Sequence, residues 1–304
     1  MSIPLAYLTV VAIWSTTPLA IQWSALGTGF AFAVMARMLI GLCLAFSLII
    51  ICRIGLPLHR KARQSYLVGG LGMFGAMLST YWGAQYIHSG LISVLFGLSP
   101  LITSIFAAFW LGEAALRPEK LLGMALGVGG LAVIFTTGHA LDGHQAVLGI
   151  AALLLAVILY SASMVGVKRI GDNSPPLATT AGTLLVAMPL FIAAWWLMDG
   201  NIPKEIPARA GAAIIYLGIF GSVLGFALYY YVIKHMETGK VALITLITPV
   251  LALLLGHLLN GEAIEPRVWF GAGLISFGLG LHQWPTLRKL IIARDAASVA
   301  TEKL

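Results

Sequence analysis

The chain has 304 residues, of which 60% are hydrophobic and only 10% are charged, and its mean hydropathy is +0.96. A soluble globular domain carries roughly 25% charged residues, so this composition excludes a soluble fold and indicates an integral membrane protein. The formal net charge is +7, but no basic surface interleaved with aromatic residues predicts nucleic-acid binding.

Ten apolar runs follow one another along the chain, and each is long enough to cross a bilayer as a helix of about 20 residues. Membrane strands would need alternating segments of about ten residues, and backbone groups in lipid must pair within the protein. The sequence therefore predicts an all-α integral membrane protein with ten transmembrane helices. The expected spans are 4–24, 31–51, 66–87, 91–111, 121–137, 147–167, 178–197, 212–233, 241–259 and 268–284.

The second half of the chain repeats the first. Gly90, Pro100 and Gly112-Glu113 recur 149 residues later, in the same order, as Gly239, Pro249 and Gly261-Glu262. Such ordered recurrence indicates a duplication. Five helices per half is an odd number, so the halves must cross the membrane in opposite senses, as two five-helix inverted-topology repeats.

The repeat also predicts how the chain is divided. We expect a first repeat over residues 1–140, a second over 141–287 and a tail over 288–304. Lysine and arginine are concentrated in the loops and tail on one side, and the opposite loops hold only Lys204, Arg209 and Arg267. By the positive-inside rule both termini are cytoplasmic, and we expect a multi-pass protein of a bacterial cell inner membrane.

The recurring motifs resemble those of a known superfamily. An apolar segment that runs from Ser89-Gly90 through Pro100 to Gly112-Glu113, with its counterpart in the second half, is similar to the drug/metabolite transporters, and specifically to the EamA-type ten-helix exporters. The opening Ala12-Ile13-Trp14-Ser15 and the aromatic-rich third span resemble the YddG-type exporters of aromatic and other neutral amino acids.

The resemblance implies an exporter or facilitator of small metabolites, above all neutral and aromatic amino acids, that works by alternating access through a central aromatic-lined cavity. Two alternatives remain open. One is another substrate class, such as a lipophilic or cationic drug, a purine or a sugar. The other is a non-transporting membrane enzyme or assembly protein. We expect a monomer whose partners are its small-molecule substrate and the bilayer.

Polar and aromatic residues inside the spans are the candidates for the substrate site, because they are costly against lipid. The competing interpretation is an interfacial belt for the aromatic residues and backbone or helix-to-helix hydrogen bonds for the serines. The candidate substrate-binding residues are Trp14, Gln22, Ser79, Tyr81, Gln85, Ser99, Tyr160, Ser163 and Tyr230.

Three further features have predicted roles. Pro100 and Pro249 should bend their helices and free a carbonyl one turn earlier, acting either as hinges or as static kinks. Glycine clusters in the fifth and tenth spans should let these two helices pack closely. Arg37 lies inside the second span, where it either snorkels to the headgroups or binds a substrate carboxylate.

Missing motifs argue against enzymatic activity. No Asp or Glu lies in the middle of any expected span, which disfavours proton antiport through a buried carboxylate. An acidic cluster for magnesium, a His-Glu-x-x-His helix and a nucleotide-binding loop are all missing from the sequence. We therefore expect no enzyme, no cofactor and no metal site.

Overall fold

The computed structural model describes residues 2–112, 118–135, 144–236, 238–263, 265–282 and 284, with the backbone alone at 120, 135, 144, 226, 227, 230, 233, 234 and 238–242. Four features singled out from the sequence fall outside this description. They are Glu113, the expected repeat boundary at residue 140, the tail from residue 288 and the side chain of Tyr230.

The described residues form helices joined by short loops, with no strand among them. These helices form ten segments that correspond to the ten expected spans. The fourth segment is divided into two helices and the eighth into three. Six segments are long and apolar enough to cross a membrane by length and composition, and the all-helical prediction is confirmed. The helices are α1 (Ile3–Ala25), α2 (Phe30–Ile51), α3 (Arg60–Gly83), α4 (Ser89–Phe96), α5 (Ser99–Leu111), α6 (Pro118–Phe135), α7 (His144–Ile170), α8 (Pro176–Met198), α9 (Ala208–Tyr216), a π-helix (Leu217–Leu224), α10 (Gly225–His235), α11 (Thr238–Asn260) and α12 (Pro266–His282).

The third segment is displaced from its expected bounds of 66–87. The helix α3 begins earlier because the ring of His59 accepts a hydrogen bond from the backbone N–H of Ala62, which caps the first turn. At the other end, the carbonyls of Ala84 and Ile87 accept hydrogen bonds from the Gln22 side chain, at 3.3 and 2.6 Å. This polar contact with α1 holds the chain in a loop after Gly83.

The two prolines have different effects on their helices. Pro100 lies in the first turn of α5, and the preceding helix α4 has already ended at Phe96. Proline has no N–H to donate, and the Phe96 carbonyl instead accepts a hydrogen bond from Ser99 Oγ at 2.7 Å. The expected bend is therefore a complete interruption here, whereas Pro249 lies inside the continuous helix α11.

The glycine of each Gly-Glu pair ends a helix. Gly112 follows α5 with φ of 67°, and Gly261 follows α11 with φ of 64°. These are left-handed conformations that glycine adopts without the steric cost of a Cβ atom. The repeated motif therefore places the same stop signal at the same point of both halves.

Helices from the two halves are interleaved. Close packing joins α6 to α12, α3 to α7 and α8, α2 to α8, and both α1 and α4 to α11. Each of these pairs joins one half to the other. The main cluster of buried apolar side chains accordingly draws on both halves, from Ala20 near the start to Leu279 near the end.

The expected contact between the fifth and tenth spans is present as the packing of α6 on α12. A Cβ atom added to Gly130 would lie 2.6 Å from the carbonyl oxygen of Gly271, and one added to Gly278 would lie 2.6 Å from that of Gly123. Real Cβ atoms do not approach so closely, so these glycines allow the two backbones to touch, as small residues do in membrane helix pairs.

We predict that Gly130→Ala lowers the free energy of unfolding by about 1–3 kcal/mol, because the added methyl overpacks the α6–α12 contact. Thermal unfolding of the purified protein in detergent measures the effect. Gly129→Ala is the matched control, since a Cβ atom at Gly129 would meet nothing within 4 Å. Equal stability of the two variants would contradict the close contact.

Candidate functional site

A pocket of about 330 Å³ lies where α1, α3 and α11 end and α2 begins. This volume is at the lower end of the range for small-molecule sites, about 300–1,000 Å³. Three of the candidate residues from the sequence, Gln22, Tyr81 and Gln85, meet in its wall. The lining residues are Gln22, Trp23, Ala25, Leu26, Gly29, Phe30, Tyr81, Ala84, Gln85 and Asn260.

Side-chain amides form one polar side of this pocket. Gln22 bridges from α1 to the loop after α3, and its Oε1 accepts a hydrogen bond from Asn260 Nδ2 at 3.5 Å. Asn260 Oδ1 accepts from the Trp23 indole at 3.0 Å. Gln85 is exposed and donates to the carbonyl of Trp82 at 3.1 Å. Asn260 and Trp23 were not among the sequence candidates, because each stands close to a helix end.

An aromatic residue and a cation are stacked at the edge of the pocket. The Arg209 guanidinium carbon lies 3.8 Å from the centroid of the Trp23 ring, within the range of a cation–π interaction. Arg209 Nη2 also donates to the Leu259 carbonyl at 3.4 Å. The contact ties α9 to the ends of α1 and α11 beside the pocket.

Tyr81 connects the pocket to a buried charge. Its side chain is 1% exposed, and its hydroxyl accepts a hydrogen bond from Arg37 Nη1 at 3.4 Å. The same hydroxyl lies 3.5 Å from Ser24 Oγ, whose hydrogen is donated to the Ile21 carbonyl at 2.7 Å. Arg37 is only 4% exposed. The snorkelling interpretation of Arg37 is therefore wrong, since its guanidinium is directed into the bundle between α2 and α3.

The π-helix brings further polar and aromatic groups to this region. Ser222 Oγ accepts a hydrogen bond from Arg37 Nη2 at 3.4 Å. One turn later, a Cβ atom on Gly225 would lie 3.6 Å from the Trp14 indole nitrogen, and the Trp14 and Tyr229 rings are 4.6 Å apart. Short π-helical segments occur frequently at functional sites, and this one borders Arg37 and Trp14 together.

A hydrogen bond between α1 and the eighth segment lies close by. Thr16 Oγ1 and the Tyr216 hydroxyl are 2.6 Å apart, and the Tyr216 ring stacks on Phe220 at 5.3 Å. The sequence offered no signal for the roles of Ser222 and Tyr216, because their partners lie on distant helices.

Five described candidates lie away from the pocket: Trp14 beside the π-helix, and four others. Ser99 donates to Phe96 at the break between α4 and α5, and its own carbonyl accepts from Ser161 Oγ at 3.3 Å. The Tyr160 ring lies 6.3 Å from the Phe96 ring at the same break. Ser163 lies on α7, and its Oγ donates to the Val68 carbonyl at 3.1 Å. Ser79 lies on α3 and is half-buried.

The Gly-Glu motif of the second half contributes a buried carboxylate. Glu262 is 6% exposed, although it stands in a loop beyond α11. Its Oε1 accepts hydrogen bonds from the backbone N–H of Ser89 at 3.1 Å and from Asn260 Nδ2 at 2.9 Å. Ser89 opens α4, so a negative charge from the second half lies at a helix N-terminus of the first, where it is stabilising.

The described residues form ten helical segments, six of them long and apolar enough to cross a membrane, and the pocket at the ends of four helices carries amide, phenol and aromatic groups. Such an architecture is that of a multi-pass membrane protein with a small-molecule site. The chain belongs to the EamA-like transporter family, whose model matches it twice, over residues 1–136 and 147–282. The double match confirms the fold of two five-helix inverted repeats and the EamA-type resemblance. The protein moves small molecules across a membrane and is not an enzyme.

Individual relatives are similar over most of their length. The uncharacterized inner membrane transporter YedA of Escherichia coli is 27% identical, with 80% of each chain covered. A probable terminal-alkyne amino-acid exporter of Streptantibioticus cattleyicolor is also 27% identical, with 76% of each chain covered. A solved crystal structure matches with a TM-score of 0.64 at 23% identity, covering 94% of this chain and 98% of the other, which supports the fold alone.

We predict that Glu262→Ala lowers the free energy of unfolding by about 1–3 kcal/mol, because the buried N–H of Ser89 loses its acceptor. Glu262→Gln keeps an oxygen at that position and should cost clearly less. Thermal unfolding of both variants in the same detergent is the measurement. A glutamine variant as unstable as the alanine variant would show that the carboxylate charge, and not the acceptor alone, matters.

Proposed function

We propose that the protein exports neutral and aromatic amino acids by alternating access, as a facilitator. The observation that carries this proposal is the convergence of Gln22, Tyr81 and Gln85, chosen from the sequence, on one pocket of about 330 Å³. A zwitterion with an apolar side chain needs polar partners beside an aromatic surface. The pocket offers both kinds of group.

The chemistry of the lining supports this class of substrate. The exposed amide of Gln85 can donate to a carboxylate. The amide hydrogens of Gln22 and Asn260 are already donated within the protein, but their oxygens can still accept from an ammonium group. Trp23 and Phe30 offer apolar surface on the same wall. Trp14 and Tyr229 add an aromatic pair next to the π-helix. The named amino-acid exporter among the relatives favours the same class.

The proposal includes a topology and a membrane. We place both termini in the cytoplasm, from the distribution of lysine and arginine, and the repeat boundary near residue 140. The relative named as an inner membrane transporter favours a bacterial inner membrane. In this orientation the pocket opens toward the outside, and a single chain carries the complete site.

Counterflow in proteoliposomes tests the function directly. Vesicles loaded with unlabelled amino acids are given labelled phenylalanine, leucine, threonine or lysine, without an imposed proton gradient. We expect accumulation of the three neutral amino acids and little of lysine. If folded protein accumulates none of them, the substrate belongs to another class or transport requires a coupling ion.

The aromatic side chains should affect transport without affecting membrane insertion. We predict that Trp14→Ala and Tyr230→Ala each reduce phenylalanine counterflow about two- to tenfold, the loss expected when a substrate ring loses an aromatic partner. Trp196→Ala is the matched control, because Trp196 is 70% exposed and lies on the outer surface. Unchanged rates in both site variants would exclude these two aromatic residues from the site.

The prolines are proposed as hinges. We predict that Pro100→Ala and Pro249→Ala slow exchange more than they weaken binding, because an uninterrupted helix resists the bending that alternating access requires. Exchange rates come from counterflow, and affinity from the half-saturating concentration in the same assay. Parallel loss of rate and affinity would favour a packing role for the prolines.

A further inference from the structure

Arg37 is a buried cation with few compensating contacts. Its guanidinium carries five N–H donors and stays protonated at any physiological pH. Within the described residues it makes two hydrogen bonds, both 3.4 Å long and both to neutral hydroxyls, on Tyr81 and Ser222. Its Nε has no hydrogen-bond partner. The Tyr81 ring adds a cation–π contact, with its centroid 5.8 Å from the guanidinium carbon.

No carboxylate of the described chain pairs with this charge, since the ion pairs there involve Asp172 and Glu265 with other residues. Taking a guanidinium out of water costs several kcal/mol unless a partner of opposite charge is present. A charge inside a membrane protein that faces the bundle interior therefore marks a substrate or ion path more often than a structural contact.

Arg37 lies next to the pocket, because Tyr81 lines the pocket and also bonds to the Arg37 guanidinium. Gly221 faces the guanidinium, and a Cβ atom there would lie 3.4 Å from Nη2. On the other side, the Tyr81 hydroxyl accepts from Arg37. Its own hydrogen faces only Ser24 Oγ, 3.5 Å away, because the Ser24 hydrogen is donated to the Ile21 carbonyl at 2.7 Å. Nη1, Nε and the Tyr81 hydroxyl together offer three donors to an anion.

An apolar region begins one helical turn away. Gly221 and Gly225 are four residues apart, about 6 Å along a helix axis, and Gly225 faces the Trp14 indole. The Trp14–Tyr229 pair follows from there. A cationic group and an aromatic pair therefore lie beside the same helical segment, about one turn apart along it.

We propose that Arg37 is the anchor for the substrate's carboxylate, so that the transported class is monocarboxylates with an apolar side chain. This inference rests on the proposed function and narrows it. The guanidinium binds the two carboxylate oxygens in a fork, and this charge-assisted pair replaces two long hydrogen bonds to neutral groups. The Tyr81 hydroxyl donates the third hydrogen bond, and the side chain lies toward Trp14.

A purely structural Arg37 would act differently. It would hold α2 against α3 and the π-helix, and its removal would lower stability for every substrate alike. Only an anchor for carboxylate makes transport depend on the charge of the substrate's acid group. Discrimination between an acid and its amide therefore separates the two roles.

The experiment compares phenylalanine with phenylalaninamide and phenethylamine in counterflow. The wild type should prefer the acid by at least about tenfold, the value of one strong charge-assisted interaction. Arg37→Gln should lose phenylalanine transport by a similar factor and show no preference, and Arg37→Lys should recover part of it. Arg63→Gln, which changes an exposed arginine of α3, is the matched control and should behave as the wild type.

Other outcomes are equally decisive. A wild type that moves acid and amide equally, or an Arg37→Gln variant that keeps the preference, overturns the anchor while leaving amino-acid export intact. If Arg37→Gln does not fold, Tyr81→Phe serves instead, and it should lower the ratio of acid to amide transport several-fold. An unaltered acid-to-amide ratio in Tyr81→Phe would also count against the anchor.

The failure of the proposed function can be recognised separately. If the wild type moves no amino acid, lactate and benzoate are tested against lactamide and benzamide. Transport of the acids alone, lost in Arg37→Gln, keeps the carboxylate anchor and rejects amino acids as substrates. Transport of neither pair rejects both proposals.

Discussion

Every backbone N–H and C=O inside a bilayer needs a partner in the protein, because lipid offers none. Within the described helical segments, two departures from regular α-helix are the break between α4 and α5 and the π-helix. In both, a serine hydroxyl donates a hydrogen bond to a backbone carbonyl. Ser99 Oγ donates to the Phe96 carbonyl, and Ser222 Oγ donates to the Leu217 carbonyl at 3.0 Å. The π-helix lies beside Arg37 and Trp14. In transporters, irregular backbone at membrane depth is found where it lines a substrate site.

The interleaving of the halves limits how the protein can move. Glycines on α6 meet the backbone of α12, and α3 packs along α7 and α8. A movement that separated residues of the first half from those of the second would break these contacts. In the alternating access that we propose, the moving groups must therefore each contain helices from both halves.

The helices and their order could be predicted because apolar runs and a repeat are properties of the chain alone. The site was only partly predictable. Gln22, Tyr81 and Gln85 share a pocket because polar groups in spans avoid lipid, but Ser163 satisfies the same rule by bonding to the Val68 carbonyl. The partners of Arg37 depend on how distant helices cross. That geometry follows from packing and not from any local pattern.

Glu262 shows how far the two repeats depend on each other. Its carboxylate completes the first turn of α4, which belongs to the other repeat, so the first repeat does not contain the group that closes its own helix end. A five-helix protein with the same motif would obtain that carboxylate only by pairing with a second, oppositely oriented copy of itself. The contact of Glu262 with α4 therefore joins the two repeats within a single chain.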